Sequence, residues 1–234
     1  MDNGKRYVVG DIHGCVKSFR NMVTEKIRLT KDDTLFLLGD YIDRGPDSKG
    51  VLDFIMELQG ESYTVKPIMG NHEYMLLKSL DDEAEFANWK KNGSTQTLMS
   101  FGVSEEQTGE FDSIRRIPGL YIDFLNNLSY FEETDDFYFV HAGLGKEIEN
   151  PKDDLDTLFW SRKEYYNRTI LRNRILIHGH TPVSKISIQD RIFDGDGKVF
   201  NLDGGCVYPH VEGFGHLVAM NLDSFELFFQ KNIE

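Results

Sequence analysis

The chain has 234 residues, of which 40% are hydrophobic and 12% aromatic, and its formal net charge is −13 at pH 7. This composition is typical of a folded protein rather than a disordered one, and the negative charge disfavours non-specific binding to nucleic acid or to an anionic membrane. Two cysteines cannot make a disulfide scaffold, no apolar run approaches the roughly 20 residues that span a bilayer, and no signal peptide is visible, so we expect a cytoplasmic protein.

The first third of the chain repeats a short apolar run, a glycine-bounded polar turn and a helical stretch. The apolar runs at 7–9, 34–38 and 63–69 predict strands, and helices are expected at about 16–27 and 48–58. The turns recur roughly every 30 residues, which is the size of a βαβ unit. This spacing predicts a parallel sheet with crossover helices, and it places ligands at the carboxyl ends of the strands.

Residues 79–130 break this pattern, because they are charged, mixed and mainly helical in character. We interpret them as an insertion that caps one end of the sheet. The strand pattern resumes at 137–140 and 174–177, and hairpin turns are expected at 194–197 and 222–224. The last strands are predicted at 185–189, 198–202, 215–220 and 225–229.

A polar, glycine-containing turn follows each of five predicted strands. The turns are GDIHG (10–14), GDYIDRG (39–45), GNHE (70–73), HAG (141–143) and HGHT (178–181). Because parallel strands end at the same edge of a sheet, their Asp, His and Asn side chains should converge there. Such ligands without cysteine suit Mn²⁺, Fe²⁺ or Zn²⁺. They are too many for one ion, which predicts two divalent ions and favours in-line displacement at phosphorus by a metal-bridged hydroxide.

The first three turns, in this order and with these intervening lengths, resemble the signature of the calcineurin-like metallophosphoesterases. More narrowly, they resemble the phosphoprotein phosphatase group, and the later HAG and GHTP turns and the closing NLDGGCVY segment are similar to its bacterial and phage lambda members. The resemblance covers essentially the whole chain, and 79–130 is its least diagnostic part. It implies one α/β domain over residues 1–234, a four-layer α/β/β/α sandwich of two mixed sheets with a mainly helical cap insertion.

The same resemblance implies how the two ions are bound. Asp40 would bridge them, and Mn²⁺ is the expected metal, with iron or zinc as alternatives. The other ligands would be Asp11 and His13 for the first ion, and Asn71, His141 and His180 for the second.

The resemblance also implies which residues act on the substrate. His72 would protonate the leaving group, and Asp43 would orient its imidazole and raise its pKa; the alternative is that Asp43 pairs only with Arg44. Arg44 and Arg162 would bind the phosphate oxygens, because a guanidinium offers two parallel donors, although Arg162 could instead be a surface arginine. Asn71 and His72 would also contact the substrate.

Three other residues have a purely structural interpretation as well as a functional one. In the insertion, Trp89 or Asn92 could touch substrate, or could serve only the core. Cys15 follows the first motif, but we interpret it as a packed small residue rather than a nucleophile, because a metal-bound hydroxide already fills that role.

These residues predict a metal-dependent phosphomonoesterase, and a Ser/Thr phosphoprotein or a small phosphoester is the expected substrate. The alternative is a symmetrical diadenosine tetraphosphate hydrolase, which shares the motifs and splits a phosphoanhydride. Further alternatives are a cyclic-nucleotide or RNA-end phosphoesterase and a non-catalytic phosphate-binding relative. A non-catalytic protein should lack a ligand or the acid, whereas every family position is filled here. The sequence predicts neither a nucleic-acid nor a membrane partner, and it leaves the oligomeric state open.

Overall fold

The structure is a computed structural model that describes residues 4–146, 148–162, 167–194 and 198–234. Its strands form one sheet of five strands and one of four. In chain order the strands are β1 (Arg6–Val9), β2 (Thr34–Leu37), β3 (Thr64–Pro67), β4 (Phe131–Glu133), β5 (Phe137–Val140), β6 (Ile175–His178), β7 (Val199–Asn201), β8 (His216–Asn221) and β9 (Leu227–Lys231).

Helices connect and flank these strands. In chain order the α-helices are α1 (Val16–Asn21), α2 (Ser48–Gly60), α3 (Asn71–Lys78), α4 (Glu83–Lys91), α5 (Ser94–Ser100), α6 (Gly119–Asn126), α7 (Leu155–Trp160), α8 (Arg168–Leu171) and α9 (Lys185–Asp194). A π-helical turn, Met22–Lys26, extends α1 almost to the predicted end of the first helix. In the described part of the chain, no helix has both the length and the apolar character needed to cross a bilayer.

Both sheets are mixed, as predicted. The five-stranded sheet has the order β3-β2-β1-β8-β9, with β1, β2 and β3 parallel and β8 and β9 antiparallel to their neighbours. The four-stranded sheet has the order β4-β5-β6-β7, with only β4 antiparallel. The helices α1 and α2 connect the parallel strands β1, β2 and β3 in turn, which confirms the βαβ interpretation of the first third.

The two sheets pack face to face through apolar side chains. Val8 and Phe36 from the five-stranded sheet share one buried cluster with Phe139, Ile177 and Phe200 from the four-stranded sheet. The rings of Phe36 and Phe139 stack with their centroids 4.2 Å apart. Because successive strand residues point to opposite faces, the neighbours of Val8 and Phe36 along each strand face the helices instead.

The crossover helix α2 shows how local sequence sets an element. The Asp47 carboxylate accepts the Gly50 N–H at 2.7 Å and caps the first turn. Val51, Ile55 and Leu58 recur at helical spacing and are buried against the sheet.

Residues 79–130 form α4, α5, α6 and two 3₁₀ segments, Glu105–Gly109 and Phe111–Arg116, so the predicted helical character is confirmed. Trp89, Leu98 and Leu125 are fully buried within this segment. α4 packs against α3, and α5 packs against α2, which brings the insertion onto the helices that follow the second and third polar turns.

The prediction of a strand at 185–189 was wrong, because this stretch begins α9. Ile186 and Ile188 alternate with polar residues, as in a strand, but Ile188 is buried while Ile186 is 68% exposed. The Ser184 hydroxyl accepts the Ser187 N–H at 3.1 Å and caps the helix. A local capping bond and one-sided burial therefore override the period-two pattern.

One of the two predicted hairpins was wrong, because the element that precedes it is the helix α9 and not a strand. The turn at 194–197 lies between a helix and β7, and β7 pairs in parallel with β6; residues 195–197 themselves lie outside the described residues. The second hairpin is confirmed, because the turn at 222–224 connects the antiparallel strands β8 and β9.

Candidate active site

The polar turns of the five-stranded sheet lie side by side because their strands are in register. Val9 pairs with Leu37, and Leu37 pairs with Pro67, so β1, β2 and β3 end at the same edge. The His13 N–H then donates to the Asp40 carbonyl at 2.8 Å, which ties the first turn to the second.

The turns of the four-stranded sheet join the same edge. The Gly179 N–H donates to the His141 carbonyl at 2.8 Å, and the Asp11 carboxylate accepts the His180 N–H at 3.0 and 3.2 Å. A Cβ at Gly179 would overlap Asp11 Oδ1, so only glycine allows this approach. The predicted ligands of both sheets therefore meet at one place.

Four predicted ligands converge around the Nε2 atom of His141. This atom lies 2.9 Å from Asn71 Oδ1, 3.2 Å from His180 Nδ1 and 3.4 Å from Asp40 Oδ1. The His141 Nδ1–H donates to the Leu38 carbonyl at 2.8 Å, and burial lowers the pKa of His141, so its ring is neutral and Nε2 presents a lone pair.

The imidazole of His180 is also kept neutral. Burial, reinforced by His141, lowers the pKa of His180 to about 3. Neutral imidazole nitrogens and amide or carboxylate oxygens that face one another repel unless a cation lies among them. This set of donors therefore fits a divalent ion.

A second cluster surrounds His13. Its Nδ1–H donates to the Ile42 carbonyl at 2.9 Å, so Nε2 carries the lone pair. That Nε2 lies 3.4 Å from Asp40 Oδ2 and accepts from Arg44 Nη1 at 2.7 Å. The lone pair of His13 Nε2 therefore points at a cation, the Arg44 guanidinium, in the place that an ion bound by His13 would take.

Two groups of side chains in the described part of the chain have the geometry to hold metal ions: His13, Asp40 and His72, and Asp40, His141 and His180. Asp40 belongs to both, which is consistent with a bridging carboxylate. Asp11 belongs to neither group, and its carboxylate accepts the His180 backbone N–H.

His72 pairs with Asp43 inside the site. The His72 Nδ1–H donates to Asp43 Oδ2 at 2.6 Å. Its buried Nε2 has no hydrogen-bond partner among the residues that the structure describes, and it lies 3.9 Å from Asp40 Oδ2. Burial alone would lower the pKa of His72, but Asp40 and Asp43 together raise it above its usual value. The imidazole can therefore carry a proton toward the point where the metal groups meet.

Side chains of the insertion donate hydrogen bonds to Asp43, the partner of His72. The sequence did not predict these contacts. Asp43 Oδ2 accepts the Trp89 indole N–H at 2.7 Å, and Asp43 Oδ1 accepts the Thr97 hydroxyl at 2.5 Å. Trp89 thus contacts the site through Asp43. No local signal marks Thr97, since it is an ordinary buried position of α5.

Two buried carboxylates complete the surroundings of the ligands. Glu73 accepts four backbone N–H groups, those of Asp40, Tyr41, Ile42 and Gly70, at 2.8–3.2 Å, and so fixes the second turn against the third.

Asp203 is the second of these carboxylates, and it is not among the site residues predicted from the sequence. Its Oδ1 accepts the Gly205 N–H at 2.9 Å, while its buried Oδ2 has no hydrogen-bond partner in the described part of the chain. Burial, with the charge of Asp40, raises the pKa of Asp203 to about 7. It follows β7 in a glycine-containing turn, so the pattern of the five other turns was the signal that pointed to it.

The two arginines occupy different positions. Arg44 is half-buried and lies against His13. Arg162 is exposed two residues after α7, and its charge is among those that lower the pKa of His180.

A family comparison identifies this arrangement. The model for calcineurin-like phosphoesterases matches residues 4–215, which include all of these turns. The chain belongs to the calcineurin-like phosphoesterases. The family predicted from the turns is therefore confirmed.

Among curated proteins, the chain is similar to a symmetrical bis(5′-nucleosyl)-tetraphosphatase from Nitrosospira multiformis. The two are 32% identical over 139 residues, which is 59% of this chain and 43% of that phosphoesterase. The chain thus spans less than half the length of this relative. The relative's name matches the alternative substrate rather than the Ser/Thr phosphoprotein of the main prediction.

Among solved structures, the chain is similar to a “putative diadenosine tetraphosphatase”, with a TM-score of 0.63, 20% identity, and coverage of 100% of this chain and 96% of the other. A Ser/Thr phosphatase from Saccharomyces cerevisiae is similar with a TM-score of 0.62 and 15% identity, over 99% of this chain and 81% of its own. At these identities the likeness concerns the fold alone, and it confirms the predicted phosphoesterase architecture.

Proposed function

We propose that this phosphoesterase splits diadenosine tetraphosphate symmetrically, releasing two molecules of ADP. The observation that carries the proposal is the similarity to a protein named for that activity, at 32% identity. The site is compatible with it, because the convergent polar side chains and the pair of His72 and Asp43 lie where the turns of the two sheets meet.

We infer that two Mn²⁺ ions bind, with Asp40 between them. Asp11 and His13 would complete the first site; Asn71, His141 and His180 would complete the second. The carboxylate and amide oxygens suit Mn²⁺, and the imidazole nitrogens would also suit iron or zinc. When bound, such a pair of ions stabilises the negative charge on the phosphoryl oxygens and lowers the pKa of a bound water molecule.

The side chains supply the rest of the chemistry. Arg44 and Arg162 would bind non-bridging phosphate oxygens through charge-assisted hydrogen bonds, and Asn71 would help to orient the substrate. His72 would donate its Nε2 proton to the oxygen that leaves phosphorus, while Asp43 holds Nδ1 and keeps the ring charged. Trp89 and Thr97 fix both oxygens of Asp43, so the donor is already aligned.

A Ser/Thr phosphoprotein is the second candidate substrate, and the pair of His72 and Asp43 favours it. The alkoxide that leaves from a phosphoserine is a much poorer leaving group than ADP, so it depends more on a proton donor. A positioned, carboxylate-bound imidazole beside Asp40 is the group that such a reaction needs.

A substrate panel separates the two candidates. The Mn²⁺-loaded protein would be given diadenosine tetraphosphate and Ser- and Thr-phosphorylated peptides at equal concentrations, and ADP and inorganic phosphate would be measured. The proposal predicts ADP as the product, with a kcat/KM at least tenfold above that for any peptide. Phosphate release from peptides without ADP formation would replace it with the phosphoprotein phosphatase.

A further inference from the structure

A cavity of about 630 Å³ lies between α3, α4 and α7. α3 contributes Tyr74, Met75 and Lys78 to its wall, and α7 contributes Trp160 at its C-terminal end. The volume is within the range that small-molecule sites use. None of the residues assigned to the metal ions or to phosphate lines this space.

The cavity lies next to the metal-binding groups along α3. Asn71, Tyr74 and Lys78 are spaced three and seven residues apart, so they lie along one face of the helix. At 1.5 Å per residue, Lys78 stands roughly 10 Å along the axis from Asn71. On the opposite wall, Trp160 precedes Arg162 by two residues. Both walls of the cavity are therefore formed by segments that also carry residues predicted for the site.

Aromatic side chains form part of its wall. Trp160 is 36% exposed, although it is a large apolar side chain, and it makes an edge-on contact with Tyr74 at 5.6 Å between ring centroids. An indole held in this way offers a rigid surface on which a planar base can stack.

The charges of the lining distinguish between the parts of a nucleotide. Among the described residues that line the cavity, Asp82, Glu85 and Asp156 contribute carboxylates and Lys78 contributes an ammonium group. The net negative charge of these described residues repels phosphate, which leaves the phosphates to the metal ions and arginines. A nucleoside is neutral, and its ribose hydroxyls donate readily to carboxylates.

We propose that this cavity binds the nucleoside of the departing ADP, with the base on Trp160 and the ribose hydroxyls on Glu85 or Asp156. This inference rests on the proposed tetraphosphatase activity, because it names the subsite for that substrate. The other possible occupant, a peptide segment beside a phosphoserine, is an outcome of the test.

The test compares diadenosine tetraphosphate with inorganic tetraphosphate, which has the same phosphate chain without nucleosides. Trp160→Ala should lower the ratio of kcat/KM for diadenosine tetraphosphate to kcat/KM for inorganic tetraphosphate. The expected decrease is roughly 10- to 100-fold, as for a lost stacking contact. Trp160→Phe should restore much of the ratio, because it keeps a stacking ring. Leu120→Ala, at an exposed apolar position of α6 outside the cavity, should keep the parental ratio. A parental ratio in Trp160→Ala would overturn the inference.

A binding measurement separates this inference from the proposed activity. Adenosine should quench the tryptophan fluorescence of the metal-free protein, and Trp160→Phe should remove the quenching, since Trp89 is fully buried. If the parent protein hydrolyses no diadenosine tetraphosphate but shows this quenching, the proposed activity is wrong and the nucleoside site stands. Absence of quenching, with Trp160→Ala lowering kcat/KM on a phosphopeptide, would overturn the inference in favour of a peptide subsite.

Discussion

At the scale of single residues, the predicted site is built on unusual backbone. Nine non-glycine residues in the described part of the chain have a left-handed φ. Five of them are predicted site residues: His13, Asp40, Asp43, Arg44 and His180, with φ between 47° and 71°. Each such conformation costs roughly 1–3 kcal/mol. Surrounding contacts offset that cost, and the turned backbone directs each side chain into the site.

The division between ligand and acid is testable at His72. His72→Asn should keep both metal ions and lower kcat roughly 10²- to 10⁴-fold on substrates with poor leaving groups, because it removes the proton donor. The loss should shrink as the leaving group becomes more acidic.

Asp40→Asn is the matched contrast, since it should lose the bridging carboxylate and nearly all activity with any leaving group. Metal content is measured by elemental analysis after gel filtration. Because His72 also groups with His13 and Asp40, a His72→Asn variant that has lost an ion would show that His72 is a ligand instead.

The two arginines should differ from the ligands in the same assay. Charge-assisted hydrogen bonds to phosphate are worth about 1.5–3 kcal/mol each, so Arg44→Ala and Arg162→Ala should each lower kcat/KM by roughly 10- to 150-fold. Lysine at either position should restore activity only in part, because an ammonium lacks the bidentate fork.

Inorganic phosphate makes the same contacts, so it should inhibit both alanine variants less strongly than the parent. Metal content should stay at the parental level in both. Arg162 is exposed, whereas Arg44 is half-buried. Parental kcat/KM and phosphate inhibition in Arg162→Ala would identify Arg162 as a surface arginine.

At the scale of elements, the site depends on close contacts between turns of different sheets. The turn after β1 and the turn after β6 touch through Asp11 and the His180 N–H, and Gly179 is the point of closest approach. The turns after β2 and β3 are joined in a similar way by Glu73. Gly179 therefore allows two turns to pack closely together, in addition to its place in its own turn.

Gly179→Ala tests this contact. The added Cβ would overlap the Asp11 carboxylate, so Asp11 and the His180 backbone must move apart. We expect Mn²⁺ affinity to fall roughly 10- to 100-fold, as when a partner of a metal ligand is lost, and calorimetric titration of the metal-free protein would measure it.

Gly119→Ala, at the start of α6 with no neighbour within 4 Å of the added atom, is the control and should bind Mn²⁺ like the parent. Equal affinities in the two variants would show that the turns tolerate separation and that Asp11 contributes little to metal binding.

At the scale of the whole molecule, the metal centre unites parts of the chain that are distant in sequence. His13 and Asp40 follow strands of one sheet, and His141 and His180 follow strands of the other. Metal binding therefore requires both sheets to be folded and packed together, and the ions should stabilise the native state over the unfolded chain.

Removal of the metals should inactivate and destabilise the protein. An ion at 100 times its Kd adds about 2.7 kcal/mol, which corresponds to a loss of Tm of roughly 5–10 °C on chelation for a chain of this size. Mn²⁺ should restore activity better than Mg²⁺, since Mg²⁺ prefers oxygen ligands and retains its waters.

Thermal unfolding and turnover, each measured with chelator and after added Mn²⁺, would check this prediction. Mg²⁺ at the same concentration is the control for non-specific cation effects. Full turnover in excess chelator would contradict the metal dependence on which the proposed chemistry rests.

The sequence by itself determined the family and the convergence of the ligands. This was possible because each ligand sits in a short turn directly after a strand, and the ends of parallel strands are aligned by backbone hydrogen bonds whatever the side chains are. The family could be identified because the spacing within each turn is local information, and the ligand roles of Asp11, His13 and Asn71 stay predictions from that resemblance.

Only the tertiary structure decided how the site is supported. Trp89 and Thr97 hold Asp43 across 46 and 54 residues of chain, and no local pattern records such contacts. Residues 185–189 form a helix rather than a strand because one-sided burial outweighs the alternation of apolar residues. The cavity beside Trp160 exists only because α3, α4 and α7 pack together. Local spacing fixes which groups can react, whereas packing between distant segments fixes their surroundings and the space open to a substrate.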